Sequence, residues 1–408
     1  MKAIGITVIV GATCGVLSWQ FPAVAAATKE TVVYSFCSGG APQCTDGAGP
    51  TNDLTAVNGM LYGATGIGGV AGSGVLFALN PRTGAEQVLH SFGDGVGSLI
   101  DPLGSLIHVE GKLYGTASSG GYGAGGLFAY DLSSGRSTTV YSFCRRTHCP
   151  DGYQPLAGLI NSNGVLYGTT FGGGARGQGV IFAFNLKTGV ETVLHSFGLG
   201  NDGQRPEAGL LDVNGTLYGT TFYGGDYPNG GTLFLFDLKT GTESVLHSFG
   251  SGTDGAGPKA AVIDVNGTLY GTTWQGGTDN DGTVFSIDPS TGAETVLHSF
   301  NNTDGQWPVA RLINVKGVLY GTSFYGGAYQ TCGDSAGCGT VFSLDPATGV
   351  ETVLHSFSGT DGAVPDSGLI QVHGKFYGVT SAGGASGEGT VFRLGTRSKP
   401  LMQSSKTY

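Results

Sequence analysis

The stretch NGTLYGTTFYGG occupies residues 214–225, and near copies stand at 163–174 (NGVLYGTTFGGG), 266–277 (NGTLYGTTWQGG) and 316–327 (KGVLYGTSFYGG). Around it, residues 207–249 divide into four short apolar runs. AGLLDV ends at Asn214-Gly215, a pair that supplies the two positive-φ positions of a tight type I′ hairpin turn. TLYGTT follows as a second strand, and a glycine-rich loop leads to GTLFLFDL. The turn KTGT then feeds ESVLHSF. Thr, Val, Leu, Phe and Tyr dominate these runs, and no helix-length amphipathic pattern interrupts them.

The unit recurs. [HY]-S-F appears seven times, starting at Tyr34, His90, Tyr141, His195, His247, His298 and His355. [LF]-Y-G also appears seven times, with a spacing of 50 to 57 residues. Four antiparallel strands per repeat, repeated seven times, predict an all-β, seven-bladed β-propeller. One four-stranded sheet cannot bury both of its faces, so neighbouring blades must cover them. The glycine after each repeat tyrosine is expected to permit close approach between sheets. The ends agree with a ring: residues 30–36 form a fourth strand with no preceding three, and residues 367–394 form three strands with no fourth. Pairing them closes the wheel and removes the unmatched edge, so a monomer is expected.

The repeat resembles the GloVer tandem repeat of exported bacterial proteins. The pattern GLI-x-V-x-G-x-LYGTT-x-x-GG, then GTVF-x-L-D-P-x-TG-x-ETVLHSF, runs through residues 30–394. Members are described as extracellular, many with a C-terminal anchor. This chain ends in GTRSKPLMQSSKTY, which favours release over anchoring. The resemblance carries no catalytic residues.

Composition narrows the function classes. The chain has 408 residues, 77 of them glycine, and a net charge of −10. Its first residues, MKAIGITVIVGATCGVLSWQFPAVAAATKE, read as a signal peptide over 1–27, cleaved within Ala25–Ala27. The propeller is expected over 28–394 and a flexible tail over 395–408. No later run is long enough to span a bilayer. An acidic chain without a basic cluster is a poor nucleic-acid binder. Beyond Cys14, six cysteines form three close pairs, Cys37–Cys44, Cys144–Cys149 and Cys332–Cys338, expected as disulfides of an exported protein.

With strands A to D running outward from the axis, the A–B and C–D turns share one face. They are short. The B–C and D–A loops share the other face and vary, so that face is the expected binding surface. It carries Phe171, Phe222, Tyr223, Trp274, Phe324 and Tyr325 at strand-B exits and Trp307 in a D–A loop. Blades 3 to 6 would thereby form an aromatic arc for a glycan or an extracellular protein. The other reading has these rings packed under neighbouring loops.

At the channel mouth, Asp53, Arg311 and Asp366 come from adjacent blades, and a carboxylate pair near an arginine could serve acid–base chemistry on a carbohydrate. The other reading is an ordinary ion pair. The recurrent D-G-x-x-P aspartates (Asp46, Asp151, Asp202, Asp254, Asp304, Asp361) are read as turn formers. TDNDG at 278–282 resembles a fragment of a calcium loop, with Asp279 and Asp281 as weak metal candidates, but it lacks the distal glutamate. Tyrosine replaces the repeat histidine at 34 and 141, so the histidines are read as packed strand-D residues rather than required ligands. No cofactor is expected. The reading is a secreted, non-catalytic binding propeller. The alternative is a secreted carbohydrate-active hydrolase or lyase.

Overall fold

Each A–B turn begins with two residues in the left-handed region, as Asn214 (φ 55°) and Gly215 (φ 87°) show. Lys316–Gly317, Glu110–Gly111 and His373–Gly374 adopt the same geometry without an asparagine. This turn sets the register Leu211↔Tyr218 of strands A and B, and the ladder continues outward through strands C and D. The computed structural model describes residues 29–40, 44–330, 332 and 336–395. The expected signal peptide at 1–27 and the tail beyond Gly395 lie outside the described residues. Seven antiparallel sheets form a ring, a seven-bladed β-propeller.

Lys29–Ser35 pairs antiparallel with Thr390–Gly395, in the register Glu30↔Leu394 to Ser35↔Thr390. The order in that sheet is the N-terminal strand, then C, B and A of the last repeat. The seventh blade therefore joins the two ends of the chain.

Between blades the core repeats one contact. The phenylalanine after each strand D packs against the strand-C phenylalanine of the next blade. Phe36 meets Phe77 at 5.1 Å between ring centroids, Phe143 meets Phe182 at 5.1 Å, and Phe357 meets Phe392 at 5.0 Å. All six rings are buried. The glycine after the repeat tyrosine makes room for this ring. A Cβ on Gly168 would lie 2.6 Å from Cζ of Phe182, in its own blade. The glycine thus admits a ring within the blade, not the neighbouring sheet's backbone. Closer to the axis, Thr169 Oγ1 donates to the Ala208 carbonyl of the next blade at 3.0 Å, and Thr220 repeats the bond to Ala260.

All three cysteine pairs are disulfide-bonded, with Cα separations of 4.2, 4.1 and 5.0 Å. Two lie in D–A loops and one in a B–C loop. Such bonds persist in oxidising compartments, which fits an exported chain.

Candidate functional site: the loop face and the axial channel

The two loop families do share one face, because they hydrogen-bond to each other. Gly203–Gln204 in a D–A loop pairs with Tyr223–Gly224 at the following strand-B exit. Gly255–Ala256 pairs with Gln275–Gly276, and Gln306 bridges Tyr325.

The residue before each D–A proline is a feature that sequence reasoning missed. A residue preceding proline normally adopts extended backbone. Here Asp101, Gln154, Arg205, Trp307 and Val364 all have φ between 53° and 60°. Two hydrogen bonds hold each one. Arg205 N–H donates to Gln178 O of the preceding blade at 2.8 Å, and its carbonyl accepts from Phe222 N–H at 3.1 Å. Trp307 is fixed likewise between Asp281 O and Phe324 N–H. Left-handed backbone at a non-glycine residue costs about 1–2 kcal/mol, so it persists only where the surroundings over-determine it. At Arg205 and Trp307 its effect is to set a variable side chain against the rings at the strand-B exits. A proline preceded by asparagine, glycine or aspartate would have been the only local hint, and most of these positions lack it.

Six of the seven predicted rings come together in one connected group. Phe222 lies 5.6 Å from Trp274, Trp274 lies 5.1 Å from Trp307, and Trp307 lies 5.5 Å from Tyr325, centroid to centroid. Phe324 stands edge-on to Tyr325 at 4.7 Å, and Tyr223 edge-on to Phe222 at 4.5 Å. Phe171 joins through a cation: Arg205 lies over Phe171 at 5.1 Å and over Tyr223 at 5.5 Å. Lys259 lies over both Phe222 (4.7 Å) and Trp274 (4.9 Å). Phe222 is buried beneath the group, and the others are half-buried. The arrangement combines both sequence readings, since the rings pack on one another and still present partial surfaces to solvent.

The channel mouth opens into a cavity of ≈ 390 Å³ lined by Asp53, Glu207, Lys259, Arg311 and Asp366, among mostly apolar residues. Arg311 Nε lies 3.7 Å from Asp53 Oδ2, and Asp53 Oδ1 accepts Gly368 N–H at 2.6 Å. Lys259 pairs with Glu207 at 3.5 Å. Asp366 Oδ1 is buried with no hydrogen-bond partner. Burial pushes the Asp366 carboxyl well above the usual carboxylate range, and the charge of Asp53 adds to the effect. The structure thus brings Asp53, Arg311 and Asp366 to one cavity.

The calcium-like loop is used internally. Asp281 accepts Asn302 N–H at 2.8 Å and the Gln306 side-chain amide at 2.5 Å, while Asp279 is exposed. The repeat aspartates do form turns: Asp202 Oδ1 accepts Gly198 N–H at 2.8 Å, and Asp361 Oδ1 accepts Ser358 N–H at 2.8 Å. Their second oxygens do more. Asp202 Oδ2 lies 3.1 Å from His195 Nε2, and Glu243 of the next blade's strand D completes a cluster with them. The repeat histidine is therefore more than a packed residue, although it does stack edge-on against Phe197. At the two tyrosine positions, Tyr34 donates to Asp46 at 2.6 Å and Tyr141 to Asp151 at 2.8 Å. Glu86 and Glu191 face these pairs, and burial followed by the neighbouring aspartate charge pushes both carboxyls up to about 7.

The model of the Gloeobacter/Verrucomicrobia repeat matches residues 21–234, 101–333 and 224–406, overlapping spans that take in almost the whole chain. The chain belongs to this repeat family. Among curated proteins, none matches it. Among solved structures, the Gloeobacter/Verrucomicrobia repeat protein is similar in fold to an oligogalacturonate lyase in complex with manganese. The TM-score is 0.54 at 12% identity, covering 91% of this chain and 97% of that one. It is also similar to the extracellular domain of a protein described as a hybrid two-component system from B. thetaiotaomicron. There the TM-score is 0.59 at 12% identity, covering 92% of this chain and 40% of that one. At such identities the likeness is one of fold alone.

Proposed function

We propose that this protein is an exported, non-catalytic propeller that binds a glycan across its loop face, along the arc from Phe171 to Tyr325. The observation that carries this reading is the continuous ring contact from Phe222 through Trp274 and Trp307 to Tyr325. Sugar rings stack on such half-exposed aromatic surfaces. Arg205 and Lys259, poised over the same rings, favour a sugar carrying carboxylate or sulfate groups. An extracellular protein offering apolar side chains is the other partner this surface fits.

Glycan profiling tests the proposal, followed by calorimetry with W274A and Y325A. Phe222 is a poorer choice because it is buried under its neighbours. Removing one central ring should weaken binding by about 10–30-fold, the usual effect at an aromatic hot spot. If no glycan binds, or both variants bind as well as the parent, the arc is not a glycan platform.

The channel carbohydrate-active reading retains one specific support, the buried, unpartnered Oδ1 of Asp366 in a cavity shared with Asp53 and Arg311. Any glycan that binds is therefore also assayed for cleavage, with D366N as the control. Binding without cleavage is the expected result. Cleavage abolished by D366N would establish the enzymatic reading instead.

A further inference from the structure

At six of the seven blade seams, the strand-D glutamate of one blade meets the loop aspartate and the histidine or tyrosine of the blade before it. Histidine stands at four of them: His195–Asp202–Glu243, His247–Asp254–Glu294, His298–Asp304–Glu351 and His355–Asp361–Glu30. The imidazole Nε2 lies 3.1, 3.2, 3.2 and 3.0 Å from the aspartate Oδ2, respectively. In each cluster, one imidazole nitrogen and one oxygen from each carboxylate lie within 4.8 Å of one another. The glutamate Oε1 atoms of Glu30, Glu243, Glu294 and Glu351 are all buried without a hydrogen-bond partner.

We propose that these four seams are binding sites for a first-row divalent cation of the Zn²⁺ type, and that the bound ions staple blades 3 to 7 together. One imidazole and two carboxylates form a three-ligand set suited to such an ion, with water in the fourth position. A buried carboxylate oxygen with no donor is costly, and a cation offsets that cost. The aspartates are already oriented for the task. Backbone N–H groups of Gly198, Asn301 and Ser358 hold Oδ1 of Asp202, Asp304 and Asp361, leaving Oδ2 directed at the imidazole. Solvent reaches the second seam through a cleft of ≈ 430 Å³ bordered by His247, Asp254 and Tyr227.

The other three seams supply internal contrasts. Where tyrosine replaces histidine, its hydroxyl bonds directly to the aspartate and approaches the glutamate, as Tyr141 does with Asp151 (2.8 Å) and Glu191 (3.3 Å). Oε1 of Glu86 and Glu191 is also buried without a partner, so what distinguishes these seams is the phenol, which bonds to the aspartate and puts no imidazole nitrogen in the ligand set. At the remaining seam, His90 faces Ser137 where the glutamate would stand, so the ligand set is incomplete. The four competent seams are contiguous and lie in the half of the ring that carries the aromatic arc. The proposal does not depend on glycan binding.

The test is zinc titration of the full chain, without an affinity tag, after dialysis against chelator, with metal analysis and thermal unfolding alongside. Zinc is expected to bind with up to four ions per chain, matching the four clusters, and to raise the unfolding midpoint. H195Y/H247Y/H298Y/H355Y copies the natural tyrosine seams and should fold yet lose this binding at least tenfold. E30Q/E243Q/E294Q/E351Q should lose it as well. The proposal is overturned if no zinc binds at about 100 µM. Retention of parental binding by the tyrosine variant also overturns it. If the tyrosine variant fails to fold, the glutamine variant decides on the same criterion.

Discussion

Removal of residues 29–36 abolishes cooperative folding of the ring. The deletion takes away strand D of the seventh blade, leaving the edge of Thr390–Gly395 unpaired. It also removes Phe36, whose fully buried ring packs on Phe77 of the first blade. Loss of one buried phenylalanine costs about 3–5 kcal/mol by itself. Adding a lost strand brings the total near the whole stability of a typical domain, about 5–15 kcal/mol. Far-ultraviolet circular dichroism during heating and size-exclusion chromatography are the measurements. A truncated chain that melts with the parental midpoint would contradict the closure. The complementary variant is a circular permutant. Gly395 pairs with Lys29, so a short linker joins them as an ordinary C–D hairpin, and new ends open in the exposed turn at Lys187–Thr188. That permutant is expected to fold, because every strand keeps its neighbours and only the position of the chain break changes.

The second large effect is on pH dependence. Glu86 and Glu191 sit in the tyrosine seams with their carboxyls pushed up to about 7, first by burial and then by Asp46 or Asp151. The groups facing them are Tyr34 and Asp46 at one seam, and Tyr141 and Asp151 at the other, where Arg145 lies 5.8 Å from the Tyr141 ring. The fold holds these protons more tightly than the unfolded chain does. Their contribution is therefore fully present below the ordinary glutamate range, near pH 4.5, and is lost as pH rises through about 7. A rise from 4.5 to about 7 corresponds to ~3 kcal/mol against the charged form. Each side chain is only half-buried, so solvent screening reduces this to about 1–2 kcal/mol apiece. Below about pH 4 the opposite term enters, because Asp46 is held below its usual range by the Tyr34 hydroxyl and Ser38, against the burial that alone would raise it. In chelator-containing buffer, E86Q/E191Q should thus exceed the parent by about 2–4 kcal/mol at pH 8 and match it near pH 5. Denaturant unfolding at the two pH values measures this. An equal difference at both would show that these carboxyls do not titrate in that window.

Much of the architecture was legible locally. Tight A–B turns are written in residues such as Asn214–Gly215, where two positive φ angles need no tertiary help. Strand order within a blade follows from short hairpin connections, and the blade count follows from the repeats. Even closure was legible, because an orphan fourth strand at one end matched three strands at the other. The cysteine pairs were close enough in sequence for loop geometry to bring them together.

The sites were only partly legible. The aromatic residues could be located on one face, yet their contacts could not be known, and Phe222 is buried while Tyr325 is half-buried. Asp53, Arg311 and Asp366 could be placed at the axis by counting residues from a proline. Only the folded ring showed that Asp53 pairs with Arg311 while Oδ1 of Asp366 is buried without a partner. The backbone of Arg205 and Trp307 ran against the local rule for a residue before proline, because interblade hydrogen bonds outweighed it.

By itself, then, the sequence determined the repeating strand pattern, its turns, the seven-fold count and the joining of the ends, because these depend on neighbours a few residues apart or on simple complementarity. Tertiary structure alone decided that Glu243 would meet His195 and Asp202. Those groups stand on different blades, about one repeat apart, and only the angle at which one sheet follows the next sets their separation.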